Sequence, residues 1–262
     1  KAAGAAASRI GISSARTVEI SYRERKPENI KEASTKSLSL EIFIDGRYSS
    51  MSTSDLRKEA LRDFIGRAVA QTKLLAEDPH RSLPDPKYYQ GRQDVNLEMV
   101  DPEYKSWSPE SRHEFVKAIE DSCLTQGGDK VISVEASTTD GYSESLVVAS
   151  NGFDGYAEGT YFVGSAQMTA KDEGDRRPAE YGAAIALHRK DLLRPEEIGG
   201  EAARRTLALF GAKKLKTETL PIIVENRVAE NIGQGFLTAM LGRAIQQKQS
   251  FLADKKGQKV AS

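Results

Sequence analysis

The sequence predicts an α+β protein in which mixed or antiparallel sheets pack against helices. Three observations predict it: segments of strict apolar–polar alternation, segments of helical apolar periodicity, and Asp-Gly and Asn-Gly turn pairs between them. Val18, Ile20 and Tyr22 alternate with Thr17, Glu19, Ser21 and Arg23, the period of a half-buried strand. Leu38, Leu40, Ile42 and Ile44 repeat it, and Asp45-Gly46 is a hairpin signal leading to a strand near 47–51. Ser52, Thr53 and Ser54 then offer N-caps for a helix whose apolar face is Leu61, Phe64, Ile65, Ala68, Val69 and Leu75. Residues 1–75 therefore read as a first α+β subdomain.

Residues 76–107, with Pro79, Pro84, Pro86 and Pro102 among many polar side chains, read as a linker. Ser108-Pro109-Glu110 is a helix start: a cap, a proline at the first helical position and an acid in the first turn. Phe115, Ile119 and Cys123 share one face of that helix, and Gly127-Gly128 ends it. Strands are expected at 131–137, 144–150, 158–169 and 179–187, with turns at Asp140-Gly141, Asn151-Gly152 and Asp154-Gly155. A helix over 195–210 follows, with Glu196 and Glu197 at its positive end and Gly211 as its stop. Residues 108–217 make the second subdomain.

Residues 215–252 open with a short apolar strand, Leu220-Pro-Ile-Ile-Val224, and continue as a helix over 228–245. Ile232, Phe236, Leu237, Ala239, Met240, Leu241 and Ala244 make this helix apolar nearly all round, which predicts burial on several sides. Gly233, Gly235 and Gly242 each cost about 1 kcal/mol of helix propensity relative to alanine, so they predict close approach by a neighbouring element or partner.

Composition excludes some functions. Lys plus Arg and Asp plus Glu are both 38, so net charge is zero, without the basic excess of a nucleic-acid binder. No apolar run reaches the about 18 residues of a membrane span. The single Cys123 excludes an internal disulfide and fits a reducing compartment. The chain has no initiator Met, Lys1-Ala-Ala-Gly-Ala5 reads as the last turn of a helix begun upstream, and Val260-Ala-Ser262 carries no terminating signal; both ends read as cut from a longer protein.

Candidate chemistry is sparse. His113-Glu114 is the one His-Glu pair, and no second histidine follows at helical zinc spacing; His80 lies in the linker and His188 after a strand. Cys123 on an apolar helix face reads as an inert thiol. The glycines from Gly152 to Gly164 lack the Gly-Lys-Ser/Thr ending of a phosphate loop and read as hairpin turns. Lys213-Lys214-Leu215-Lys216 reads as a solvated turn past a helix end, and Glu196-Glu197 as first-turn acids.

Several short motifs in order resemble the TldD/PmbA family, once labelled modulators of DNA gyrase. They are Ser52-Thr53-Ser54, Leu83-Pro84-Asp85-Pro86, Ser150-Asn151-Gly152-Phe153, Tyr181-Gly182, Asp191-Leu192, Ile198-Gly199, Gly211-Ala-Lys-Lys-Leu-Lys-Thr217, Leu220-Pro-Ile-Ile-Val224 and Ser250-Phe251-Leu252. The resemblance is closer to the PmbA (TldE) branch. It implies an α/β N-terminal part followed by a β-rich C-terminal domain, of which residues 218–262 are the start. It further implies a heterodimer of TldD-like and TldE-like chains that degrades unfolded peptides. The TldD-like chain holds zinc through a helical His-Glu-x-x-x-His and a later cysteine; the metal polarises the peptide carbonyl and activates water, and the motif's Glu accepts a proton.

Carried onto this sequence, the motif positions fall near Gln234, Gly235 and Ala239, none of which is a zinc ligand or base. The expectation is therefore a cytoplasmic, non-catalytic TldE-like subunit with no catalytic or metal residue and no cofactor of its own, zinc being expected in its partner. That partner is a TldD-like paralogue, or a second copy in a homodimer, with unfolded peptide as substrate and no direct contact with nucleic acid or membrane. An autonomous hydrolase using Cys123 or His113, and a stand-alone peptide-binding module, are the alternatives.

Overall fold

The computed structural model describes residues 4–93 and 95–260. The chain divides into two units, Lys1–Ala212 and Lys213–Ser262. In the first, six strands make a single antiparallel sheet: β1 (Ala7–Arg23), β2 (Lys26–Ile44), β3 (Arg47–Thr53), β4 (Val131–Ala149), β5 (Asp154–Ala170) and β6 (Ala179–Ala186). Their order is β3-β2-β1-β4-β5-β6. β1 pairs with β4 from Arg9↔Ala149 to Arg23↔Glu135, so one sheet runs through both halves of the unit. At 17 and 19 residues, β1 and β2 are each about 55–60 Å long.

That length lets one sheet face carry two separate helical layers. Helix α1 (Lys58–Thr72) packs its Leu61, Phe64, Ile65, Ala68 and Val69 on Leu38, Leu40, Ile42, Ile44 and Ile10. Helices α2 (Pro109–Gly127) and α3 (Pro195–Ala208) cover Val18, Ile20 and Tyr22 with Val134, Ala136, Ala166 and Met168. Ile10 and Val18 lie an even number of residues apart on β1, so both layers use the same side of the sheet. Val116, Ile119, Met168 and Ile198 are fully buried, each stabilising by about 1.5–3 kcal/mol. The opposite face is largely polar, with Ser13 bonded to Ser37 (2.8 Å), Ser137 to Ser165 (2.9 Å) and Arg9 to Glu41 (3.0 Å). This is the one-faced burial typical of antiparallel sheets.

Glycines set the α2–α3 distance. A Cβ on Gly199 would lie 2.2 Å from the Ile119 carbonyl and 2.9 Å from the Cys123 nitrogen, and one on Gly182 of β6 would lie 2.4 Å from the Ile198 carbonyl. Glycine at both positions lets backbone meet backbone.

Local signals were obeyed unevenly. Ser108 accepts from the Ser111 N–H as N-cap, and Gly128, at φ 58°, ends α2. Glu197 reaches back to the Arg194 N–H (3.0 Å) at the start of α3, and Asn151-Gly152 turns between β4 and β5. Ser52, Thr53 and Ser54 are not the caps of α1. β3 extends through Thr53, whose hydroxyl accepts from the Asp55 N–H, and the N-cap position is Arg57. Leu75 lies past the end of α1 and is half exposed.

Asp140-Gly141 is not a turn. β4 runs straight through it because Asp140 is neutralised by a buried arginine and Gly141 lies under the Tyr161 ring, where a Cβ would sit 2.5 Å from Cε1. Asp154-Gly155 opens β5 rather than turning, and Gly159 and Gly164 lie within that strand, beneath the Met99 carbonyl and the Ile198 and Phe115 side chains respectively. At the N-terminus, the expected helical turn fails for Gly4 and Ala5: Gly4 has φ 94° and Ala6 donates to the Phe43 carbonyl. Lys1, Ala2 and Ala3 lie outside the described residues.

The second unit holds α4 (Asn226–Met240) and α5 (Gly242–Gln246). The strand expected at 220–224 does not form, since it has no ladder partner among the described residues. The expected single helix over 228–245 starts two residues earlier and breaks at Leu241 (φ −59°, ψ 130°). Its predicted burial fails as well: Ile232, Phe236, Leu237, Met240 and Leu241 are exposed, and Ala239 alone is buried.

Candidate functional site

Helix α4 carries the three positions singled out from the sequence. Gln234 is exposed between Gly233 and Gly235, and Gly235 would admit a Cβ with nothing within 4 Å. Ala239 is held by local contacts: its carbonyl accepts the Ser250 hydroxyl at 2.5 Å, while Phe236 meets Phe251 edge-on at 6.1 Å. An amide, a hydrogen and a methyl group do not fit a tetrahedral zinc ligand set. Among the described residues no cluster of three or more His, Cys, Asp or Glu side chains converges as a metal site. Gly233 and Gly242, like Gly235, have open space around them among the described residues, so no neighbouring element of this chain makes the close approach expected from an element or a partner.

The histidines are dispersed. His80 is exposed in the linker, its backbone N–H on Asp78. His113 on α2 bonds the Tyr22 hydroxyl through Nδ1 (3.0 Å), and His188 bonds the Glu98 carbonyl through Nε2 (2.6 Å). Cys123 is fully buried, and burial, followed by the nearby Glu120, pushes its thiol up to about 12. His113 lies ten residues before it, about 15 Å along the helix, so the structure does not join them into a nucleophile–base pair.

Three polar groups that the sequence did not reveal organise the first unit. Arg112 of α2 makes a two-pronged ion pair with Asp140 of β4, Nε–Oδ1 2.6 Å and Nη2–Oδ2 2.7 Å, both side chains buried. Its remaining Nη1 donates to the Trp107 carbonyl, and its guanidinium lies 5.1 Å from the Trp107 ring. Glu120, almost fully buried, accepts the Arg25 N–H at 2.9 Å and clamps the β1–β2 turn, where Glu24 and Arg25 both adopt positive φ. Desolvation pushes its carboxyl above the ordinary value against the opposing pull of that hydrogen bond. Thr160 ties the linker to the sheet: its N–H donates to Met99, its hydroxyl to Leu187, and it accepts from the Asp101 N–H. An arginine on a helix's apolar face and an aspartate in mid-strand were the available signals; their pairing is a tertiary fact.

Two of the quoted motifs meet. Asn151 donates to the Pro84 carbonyl (2.7 Å), and Tyr89, following Leu83-Pro84-Asp85-Pro86, donates to the Asn151 carbonyl (2.9 Å) and stacks edge-on with Phe153. Beyond this corner the outer edge of β5 borders a groove of about 790 Å³ lined by residues 95–100, Pro102, Tyr156, Ala157, Glu158, His188 and Lys190.

The first unit is an α+β architecture, one six-stranded antiparallel sheet with helices packed on it. Three consecutive domain models of one family match the chain: PmbA/TldA metallopeptidase domain 1 over 9–72, the central domain over 102–210 and the C-terminal domain over 217–262. The chain belongs to the PmbA/TldD family. It is 25% identical over 253 residues to the metalloprotease PmbA of Escherichia coli O157:H7, covering 96% of this chain and 55% of that protein. A PmbA homologue of Haemophilus influenzae is 23% identical over 98% of this chain and 56% of its own length. The chain thus spans about half the length of the curated relatives it matches. Among solved structures, a candidate modulator of DNA gyrase from Bacteroides thetaiotaomicron superposes with TM-score 0.93 at 31% identity, over 100% of this chain and 59% of that one. TldE from Thermococcus kodakarensis has the same fold, with TM-score 0.75 at 19% identity over 98% and 57%. No helix among the described residues is long and apolar enough to cross a membrane.

Proposed function

We propose that this chain is the non-catalytic, TldE-like subunit of a cytoplasmic metallopeptidase complex, supporting the cleavage of unfolded peptides by a zinc-bearing TldD-like partner. The observation that carries the reading is the motif helix itself: α4 keeps its place after Leu220-Pro221, while Gln234, Gly235 and Ala239 supply no metal ligand and no general base. Family membership and the PmbA relatives support the setting. In this reading, residues 1–75 and 108–217 are two subdomains joined by the 76–107 linker, and 218–262 open a further domain. The apolar face of α4 and its open glycines are then available to elements outside this chain. A burial-raised thiol at Cys123 weighs against the autonomous hydrolase.

Co-expression with a TldD-like paralogue carrying His-Glu-x-x-x-His tests the reading. The two chains should co-purify and cleave unfolded peptide together, with zinc in the partner. Failure to associate, or cleavage by this chain alone, contradicts it.

A further inference from the structure

We propose that the outer edge of β5 at Tyr156 and Glu158 is a binding site for an extended polypeptide segment, which adds to the sheet as a further strand. β6 pairs with β5 only from Phe162↔Ala186 to Thr169↔Ala179, whereas β5 begins at Asp154. The overhang is therefore a strand edge inside the molecule rather than at the sheet's end. Thr160 marks its direction: its N–H points outward, to the Met99 carbonyl. Alternate residues of a strand point the same way, so the N–H and C=O of Glu158 and Tyr156 also face outward. Neither has a backbone partner on that side among the described residues.

The chain's own linker passes along this edge but does not pair with it. Glu98 adopts φ 50°, its N–H taken by the Asn96 side chain and its carbonyl held by His188. The linker consequently bends away after its single ladder-like bond at Met99, leaving the groove between it and β5. Exposed apolar side chains of Val95, Leu97, Met99 and Tyr156 line the groove. Unpaired backbone groups flanked by apolar side chains are the chemistry that recognises an extended main chain. Calling the occupant a peptidase substrate rests on the function proposed above; the binding itself does not.

The test uses a fluorescein-labelled heptapeptide of alternating valine and threonine or serine, and a matched peptide N-methylated at alternate residues, titrated against the whole chain by fluorescence anisotropy. The unmethylated peptide should bind and the methylated one should not. Glu158→Pro removes one outward N–H and leaves the β4–β5 backbone ladder in place, and should weaken binding about five- to tenfold relative to Glu158→Ala, which loses the same carboxylate bonds to the Tyr142 and Tyr156 hydroxyls but keeps the N–H. Should E158P fail to fold, the two peptides on the unsubstituted chain still decide. Equal binding of both peptides, no binding of either, or full affinity in folded E158P overturns the proposal. A dimer that E158P dissociates without any peptide capture assigns the edge to a second copy and also overturns it. Co-purification of E158P with a TldD-like chain is scored separately, so loss of peptide binding with association intact separates this site from the subunit reading.

Discussion

The glycines of α3 and those of α4 look alike in sequence and do opposite things in space. Gly199 sits against the backbone of α2, where even one added carbon would meet Ile119 at 2.2 Å. Gly233 and Gly235 face nothing within 4 Å. The apolar residues differ in the same way: Ile198 is buried between helices and sheet, while Ile232 and Leu237 are exposed. Apolar periodicity and small residues state a requirement for burial, but they do not say which chain supplies the cover. In the first unit its own elements supply it; among the described residues of the second unit the same signals are unmet.

The largest expected effect breaks the buried side of this contrast. Arg112→Met leaves the buried Asp140 carboxylate without its arginine and should cost about 3–5 kcal/mol in urea unfolding, whereas replacing both partners with apolar residues should recover much of it. Next comes Gly199→Ala, which must push α2 and α3 apart and should cost about 1–3 kcal/mol or more. Its counterpart sharpens the contrast: Gly235→Ala should leave the first unit's unfolding unchanged and strengthen α4 by about 1 kcal/mol, read as helical circular dichroism. A large cost for G235A would mean that α4 is covered in solution.

Two smaller effects follow from charge. The Glu120 carboxyl is raised, so both folded and unfolded states hold its proton at low pH, and the unfolded state releases it first as pH rises. Stability contributed by this group therefore falls across the window between its ordinary and raised values, and Glu120→Gln should flatten that fall in pH-dependent unfolding. Glu201 behaves oppositely: Arg204 and Arg205 hold it down at about 2, so its contribution is present above the ordinary carboxylate range and is lost as pH falls toward 2. The pair is partly solvated, and Glu201→Gln should cost less than about 1 kcal/mol at neutral pH.

Much of the α+β fold was legible because its signals are local. Alternation marked the buried parts of β1 and β2, Ser108-Pro109 marked α2, and Gly211 followed α3. What escaped depended on distant partners. The N-terminal part of β1 is held by ladders to β2 and β4, the polar start of β2 by its ladder to β1, and Asp140-Gly141 reads as a turn until Arg112 and Tyr161 are placed over it. Of the candidate site, the absence of zinc-ligand residue types at Gln234, Gly235 and Ala239 was legible directly. The open edge at Tyr156 and Glu158 was not, because it depends on where β6 ends and where Glu98 bends the linker.

The subunit reading is tested most directly by metal content and peptide cleavage measured together on the purified full-length protein, alone and with a TldD-like partner. The account predicts no stoichiometric zinc and no cleavage alone, with cleavage appearing on addition of the partner. Stoichiometric zinc together with cleavage of unfolded peptide by this protein alone would contradict it.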